Sequence, residues 1–283
     1  MHAMNRPAAT APALNPATLA ALIALVRKHT GIAMTERKSV LLERRLQPRL
    51  QALALTSYQA YLDKVERDKT ELPHFIDLVT TNDTQFFRTP QIWDFLARRF
   101  LPEWVRRYPG QCMEIWSAAA ASGEELYSMA MLCEEFRVLA PQFRYRILAT
   151  DISRQMLGLA EAGQFGGRSV ERMKASHPAL FKKYFTADGT RARIDRSLGR
   201  NVRYASHNLL QALEPPQQFD LVLLRNVLIY FDAEHQQTVL DKIRFSMKPQ
   251  ASLILGEQET IQRLDTEYRY EAPMVYHLGT GDH

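Results

Sequence analysis

The chain has 283 residues and 46% of them are hydrophobic, which is enough to bury the core of one large domain or of a large and a small one. Two cysteines without metal-ligand spacing exclude a disulfide framework and a zinc site, and they favour a reducing cytoplasm. The net charge of +5 lies in the N-terminal third, because residues 27 to 107 hold fifteen Lys and Arg against ten Asp and Glu. This excess favours acidic partners.

The N-terminal residues show no targeting signal. Residues 1–16 are rich in Ala and Pro and are predicted to form a disordered tail. The apolar run Leu19–Val26 is far shorter than the roughly 20 residues that a membrane-spanning helix needs, so no membrane insertion is expected. A signal peptide is rejected because only Arg6 is cationic before the run and no small-residue cleavage site follows.

Helical patterns follow, and they predict an all-helical N-terminal domain over residues 17–90. Asn15 and Pro16 suit a helix start and Gly31 suits its end. A second helix, Glu36–Leu53, has leucines on one side and basic side chains on another, and Pro48 is expected to bend or interrupt it.

The period then changes to short apolar runs with the length of buried strands, at 113–119, 145–152, 201–210, 219–230 and 251–257. Helical patterns lie between most of them, which predicts an α/β fold with a mainly parallel, doubly wound sheet over residues 91–283. Polar alternation over about 184–204 predicts a small β insertion in that domain.

In such a sheet the ligand binds beyond the carboxyl ends of the strands, and four of these ends carry suggestive residues. A run of small side chains leads to Gly123 after the first strand, and Asp151 follows the second. Asn208 follows the third, and Asn226 and Tyr230 follow the fourth. Asp151 suits a ribose, as in NAD or S-adenosylmethionine, although a helix cap is its structural alternative.

A further polar cluster precedes the sheet, in the segment TNDTQFFR at Thr81–Arg88. It is either a helix cap with a buried aromatic anchor or a ligand clamp. The residues alone leave both interpretations open. The resemblance given in the next paragraph implies the clamp, with Phe86 and Phe87 as anchors that hold the segment against the sheet.

The strings TNDTQFFR, WSAAAASGEELYS, ATDIS, HNLL and LLRNVLIYFD together resemble the chemotaxis receptor methyltransferase family, CheR. The resemblance runs in order from about Leu19 to Leu278. It implies a helical domain before a class I, Rossmann-like methyltransferase fold. It also implies methyl transfer from S-adenosylmethionine, which leaves as S-adenosylhomocysteine, to glutamate side chains on the cytoplasmic helices of a chemoreceptor.

The resemblance also implies roles for individual residues. Arg88 is expected to orient either the cofactor's carboxylate or the acceptor glutamate. Tyr230 matches the position close to the transferred methyl group and is expected to position the acceptor oxygen or to line the methyl group. The loop departs from the family pattern at Ala121, Ser122 and Leu126, so the contact of one hydroxyl is lost at Ala121. The positions that match the family's cofactor contacts are Asn82, Thr84, Arg88, Glu125, Asp151, Asn208, Leu209, Arg225 and Asn226.

A glutamate acceptor needs no general base, because its ordinary pKa of about 4.3 leaves it ionised at neutral pH. No metal is expected. We expect Arg44, Arg45 and Arg49 to dock the acidic receptor helices. The insertion, with Arg191, Arg193 and Arg196, matches the region that grips a receptor tail peptide in some family members.

Two other functions fit parts of the pattern. A nucleic-acid methyltransferase would share the fold, but the prolines of EPPQ at 214–217 precede the fourth strand and lack the aromatic residue of base methylation. The second is a non-catalytic module that binds S-adenosylmethionine and signals. We expect an enzyme that acts as a monomer and does not bind nucleic acid.

Overall fold

The computed structural model describes residues 14–279, so most of the tail predicted for residues 1–16 lies outside the described residues. The chain divides into two compact units between Thr80 and Thr81, whereas the sequence suggested a boundary after residue 90. No helix within the described range is long and apolar enough to cross a bilayer.

The first unit is helical and packs around one apolar cluster that includes Leu22, Leu46 and Phe75. Its first helix starts where the sequence predicted, because the Asn15 side chain accepts a hydrogen bond from the Thr18 amide at 2.8 Å. Between residues 14 and 80 the α-helices are α1 Pro16–Thr30, α2 Ser39–Ala52, α3 Tyr58–Arg67 and α4 Leu72–Val79.

Of the two effects expected of Pro48, the interruption is wrong, because α2 continues through this residue, and the bend stays a prediction. A proline inside a helix removes one backbone hydrogen bond. Leu46 and Leu50 on either side of it are fully buried, and this packing holds both halves of the helix in place.

A buried carboxylate links three helices of this unit. Glu71, just before α4, accepts two hydrogen bonds from Arg49 of α2 at 2.9 and 2.8 Å and one from the Tyr61 hydroxyl of α3 at 3.1 Å. Burial acts to raise the pKa of Glu71, but the bonds from Arg49 and Tyr61 outweigh it and leave this pKa below its ordinary value. The ionised carboxylate therefore stabilises the folded helical unit.

Replacing Glu71 by Gln should lower the free energy of unfolding by about 3 kcal/mol at pH 7, because the Arg49 charge loses its partner. Because folding lowers the pKa of Glu71, its ionised carboxylate stabilises the folded state at pH values above the unfolded pKa of 4.5. This stabilisation is lost as the pH falls through the folded pKa. The difference between wild type and variant in urea unfolding should therefore shrink below pH 4.5. The same substitution at exposed Glu66 is the control and should change little at either pH; equal effects of the two substitutions would contradict the assignment.

The second unit is an α/β domain with seven helices and ten strands in its described part. Its helices are α5 Pro90–Phe95, α6 Leu101–Arg107, α7 Glu124–Leu139, α8 Arg154–Ala162, α9 Gly167–Ser176, α10 Pro178–Tyr184 and α11 Ala233–Phe245. A π-helical turn, Leu96–Phe100, joins α5 to α6. Its strands are β1 Cys112–Ala118, β2 Arg144–Asp151, β3 Gln164–Gly166, β4 Phe185–Asp188, β5 Arg191–Ile194, β6 Val202–Ser206, β7 Phe219–Leu224, β8 Met247–Leu255, β9 Tyr268–Ala272 and β10 Val275–Leu278.

The main sheet has the order β6-β2-β1-β7-β8-β10-β9. The first five strands of this order are parallel, and β10 runs antiparallel between β8 and β9. Alternate residues point to two apolar clusters, with Ile115 and Leu223 in one and Trp116 and Val222 in the other. The predicted doubly wound sheet is confirmed, and so are its five parallel strands.

The small β insertion is also confirmed, with one difference in its extent. β4 and β5 form the predicted hairpin, and β3 pairs with β5 as a third strand from outside the predicted range. Residues 202–204 belong instead to β6 of the main sheet. β9 and β10 were not predicted: β9 has mostly exposed or half-buried side chains, and β10 is only four residues long, two of them buried and two half-buried.

Candidate functional site

The parallel strands end at one edge of the main sheet, and this edge gathers most of the residues predicted for the site. The loop after β1 ends at Gly123, Asp151 is the last residue of β2, and Asn208 follows β6. Arg225, Asn226 and Tyr230 follow β7. The observed sheet order places the ends of β6, β2, β1 and β7 side by side, as the sequence predicted.

The small-residue loop after β1 is held in an uncommon conformation. Ala119 and Ala121 have φ values of +69° and +48°, in the left-handed region that non-glycine residues rarely adopt. Gly123 has a φ of +100°, and a Cβ there would lie 2.9 Å from the Cβ of Ala160. Strained backbone of this kind clusters at functional sites and persists where the surroundings enforce it.

Asp151 fixes this loop from the neighbouring strand. Its Oδ2 accepts a hydrogen bond from the Ala121 amide at 2.9 Å, and its Oδ1 accepts one from the Ser153 amide at 2.8 Å. Ser153, not Asp151, caps α8, because its hydroxyl accepts from the Met156 amide. The Asp151 carboxylate therefore ties the loop after β1 to the start of α8.

The end of β6 continues the same edge. The His207 amide donates to the Asp151 carbonyl at 3.0 Å, and the Asn208 side chain accepts from the Leu210 amide at 3.1 Å. Leu209 is buried. Burial lowers the pKa of His207 from its ordinary value, so this imidazole is neutral at neutral pH.

The segment Thr81–Arg88 is anchored by its phenylalanines, as expected. Phe86 makes edge contacts with Phe165 and Phe185 of the insertion region, with ring centroids 4.8 and 5.3 Å apart. The Phe87 amide donates to the Ser128 hydroxyl of α7 at 2.9 Å. Asn82 and Thr84 are half-buried just before these anchors.

Arg88 is fixed through its backbone, whereas its side chain remains partly accessible. Its carbonyl accepts hydrogen bonds from Trp93 Nε1 at 2.9 Å and from Arg225 Nη2 at 2.8 Å. Its guanidinium lies 3.2 Å from the Asp83 carbonyl and 3.4 Å from the Asp83 carboxylate. The side chain is 33% exposed, so it can reach a ligand or an acceptor.

Beneath the edge, Glu125 and Arg225 form a buried ion pair. Arg225 Nη1 lies 3.2 Å from Glu125 Oε2, and the Ser117 hydroxyl donates to Oε1 at 2.9 Å. Burial raises the pKa of Glu125, while Arg225 and Ser117 act in the opposite direction. Arg225 Nε is buried and has no hydrogen-bond partner within residues 14–279. The pair braces the end of β7 against the first turn of α7.

The sequence analysis missed one residue of this edge, Glu259, in the loop after β8. Its carboxylate accepts hydrogen bonds from the backbone amides of Asn226, Val227 and Leu228. Asn226 itself has a φ of +58°. The rule that ligands bind beyond strand ends would have pointed to this loop, had the fifth strand end been inspected as well.

The three arginines predicted to dock a partner belong to the first unit and differ in their availability. Arg49 is held by Glu71, and Arg45 donates to the Val79 carbonyl at 3.0 Å. Arg44 is exposed on α2, close in sequence to Val40, which is 74% exposed. The guanidiniums of Arg45 and Arg49 are thus bound within the helical unit.

Four features define the class of this protein: the order of the parallel strands, the antiparallel β10, the small-residue loop after β1 and the acid that ends β2. Together they are typical of the S-adenosylmethionine-dependent methyltransferases of class I, Rossmann-like fold. Comparison with known proteins gives the family. The model of the CheR methyltransferase all-alpha domain matches residues 17–80, and that of the CheR methyltransferase SAM binding domain matches residues 82–275. The chain belongs to the CheR methyltransferase family, which confirms the resemblance and the cofactor.

Individual relatives agree with this assignment. Chemotaxis protein methyltransferase 1 of Pseudomonas aeruginosa is 32% identical over 86% of this chain and 90% of its own length. The chemotaxis protein methyltransferase of Salmonella typhimurium is 32% identical over 94% of this chain and 91% of its own. A solved methyltransferase of Methanosarcina mazei is 16% identical over 53% of this chain and 55% of its own, with a TM-score of 0.33.

The residues of the edge fit S-adenosylmethionine. The small side chains of the β1 loop let a ligand approach the backbone, and Asp151 ends β2 at the position where an acid binds ribose hydroxyls in nucleotide-binding folds of this type. The buried Nε of Arg225 has no partner among the described residues, which suits a site completed by a polar ligand.

Proposed function

We propose that this enzyme methylates glutamate side-chain carboxylates on the cytoplasmic helices of a chemoreceptor and so produces glutamyl methyl esters in the cytoplasm. One observation carries the proposal: the two matches to the family, to its helical and its SAM-binding domain, cover nearly all of the chain. The relatives that match over most of their length are named chemotaxis protein methyltransferases.

Within this proposal, the edge residues hold the cofactor. Asp151 binds the ribose hydroxyls, Asn208 and Leu209 bind the adenine, and the remaining contacts come from residues around the opening. The remaining contacts to the cofactor are assigned to Asn82, Thr84, Arg88, Glu125, Arg225 and Asn226. When bound, S-adenosylmethionine supplies an electrophilic methyl group and leaves as S-adenosylhomocysteine.

The protein's own task is to orient a nucleophile that is already ionised. A glutamate acceptor has an ordinary pKa of about 4.3, so no residue has to remove a proton from it. We assign Arg88 to the orientation of a carboxylate by paired hydrogen bonds, and Tyr230 to the placement of the acceptor oxygen beside the methyl group.

The nature of the product tests the function directly. The purified enzyme is incubated with methyl-labelled S-adenosylmethionine and either a chemoreceptor cytoplasmic fragment or RNA. Label that enters the receptor fragment and is released as methanol in alkali identifies carboxyl methyl esters, and this is the expected result. Alkali-stable label in RNA would establish a nucleic-acid methyltransferase, and binding of the cofactor without transfer to either would establish a signalling module.

Replacing Arg88 by Ala should lower kcat/KM for the receptor fragment about 100-fold, because the guanidinium no longer orients a carboxylate. The melting temperature should stay within a few degrees, since the hydrogen bonds of this guanidinium within residues 14–279 go to Asp83, which is itself exposed. Arg98, which is 84% exposed on the π-helical turn, provides the matched control when it is replaced by Ala. Unimpaired turnover of the Arg88 variant would remove this residue from the site.

Receptor docking is proposed for the exposed face of α2 and is now centred on Arg44. Replacing Arg44 by Glu should raise KM for the receptor fragment several-fold and weaken the dependence of KM on salt, because attraction between exposed charges is screened. Arg67 is exposed on α3 of the same unit, so its replacement by Glu changes the net charge equally and serves as the control. If both reversals raise KM to the same extent, the effect is one of net charge and not of docking at α2.

A further inference from the structure

We infer that Glu259 is a positioning residue for methyl transfer: its carboxylate holds the turn after β7 that carries Asn226 and Tyr230. The inference concerns the same site as the proposed function, and its kinetic part rests on that function. The part that concerns cofactor binding rests only on the membership of the methyltransferase family.

The contacts of Glu259 are unusual in number and kind. Its Oε2 accepts from the amides of Asn226 at 2.8 Å and Gly256 at 2.6 Å. Its Oε1 accepts from Val227 at 2.8 Å and Leu228 at 2.7 Å. One carboxylate thus satisfies four backbone donors, three of them consecutive in the turn that follows β7.

The negative charge of this side chain is essential to the arrangement. Hydrogen bonds from backbone amides to a carboxylate are charge-assisted and stronger than bonds to a neutral acceptor. A glutamine in the same place would offer one carbonyl oxygen, and its NH2 group would point at two amides that also donate. The Gln variant therefore leaves donors of the turn without partners while it preserves the shape of the side chain.

The turn needs this support because its backbone is strained. Asn226 adopts a φ of +58°, and the short 3-10 helix Leu228–Tyr230 follows directly. The far end of the turn is held by Gln236 of α11, whose amide donates to the carbonyls of Leu228 at 2.9 Å and Phe231 at 3.2 Å. Glu259 and Gln236 thus fix the donors and the acceptors of the same turn.

The loop that carries Glu259 is itself fitted to this role. A Cβ at Gly256 would lie 2.7 Å from Asn226 Nδ2 and 2.7 Å from Glu259 Oε2. Only glycine lets the end of β8 approach the turn this closely. Glu259 is 8% exposed and bonded to backbone groups, so it acts on a ligand through the turn and not by direct contact.

The test compares Glu259→Gln with Glu257→Gln, a matched control because Glu257 is an exposed carboxylate in the same loop. Two quantities are measured per binding-competent molecule: the Kd for S-adenosylhomocysteine by calorimetry and kcat with the receptor fragment. The calorimetric stoichiometry gives the fraction of competent molecules, so a loss of folded protein alone changes neither quantity. Gly256→Ala is the second variant, since it displaces Asn226 and Glu259 while the charge is retained.

For Glu259→Gln we expect Kd to rise about tenfold and kcat to fall about 100-fold, as for a displacement of reacting groups by about 1 Å. Gly256→Ala should move both in the same direction, and Glu257→Gln should match wild type. A change in either quantity supports the inference, with Kd reporting on Asn226 and kcat on Tyr230. The inference is overturned if Kd and kcat of Glu259→Gln both stay within twofold of the wild-type values. If Glu259→Gln does not fold, the same criterion applies to Gly256→Ala. If wild type transfers no methyl group to the receptor, the proposed function fails, and the Kd comparison still decides the role of Glu259.

Discussion

The buried ion pair between Glu125 and Arg225 is the interaction on which the geometry of the site depends. It joins the first turn of α7 to the end of β7, and the same guanidinium holds the Arg88 carbonyl. Removing two charges from water is costly, and a buried pair repays this only with good geometry and additional hydrogen bonds. Ser117 and the Trp93 ring, 5.7 Å from the Arg225 guanidinium, supply such contacts. The pair therefore specifies one arrangement of three segments that are distant in sequence.

Two further carboxylates at the same edge extend this principle. Asp151 fixes the loop of the neighbouring strand β1, and Glu259 fixes the turn after the neighbouring strand β7. In each case an acid from one strand end binds backbone amides of the adjacent one. Backbone amides have fixed directions, so such bonds hold a loop more tightly than contacts between flexible side chains would. The strained φ values at Ala121 and Asn226 lie in the two segments that are held in this way.

The sequence predicted the parts of the molecule that depend on local pattern. The parallel strands are continuous apolar runs such as Phe219–Leu224, buried throughout, and Asp151 stands where the rule for strand ends expects a ligand-binding acid. The parts that depend on tertiary context were missed. β9 is largely solvent-exposed and alternates tyrosines with charged residues, so its sequence YRYEA lacks the continuous apolar run by which the buried strands were predicted. The sequence pattern predicted Arg49 as an exposed cation, whereas the structure pairs it with the buried Glu71. No sequence pattern links two residues that meet only after folding. The assigned roles of Arg88 and Tyr230 stay predictions.

The two alanines of the β1 loop that adopt a left-handed backbone conformation, Ala119 and Ala121, imply a conflict between thermal stability and activity. Glycine at position 119 or 121 would relieve the steric cost of the positive φ, yet it would also enlarge the range of conformations open to the unfolded chain and to the loop itself. Selection for thermal tolerance alone and selection for turnover would therefore act differently on these two positions. The alanines at these positions keep the loop rigid but leave its backbone strained.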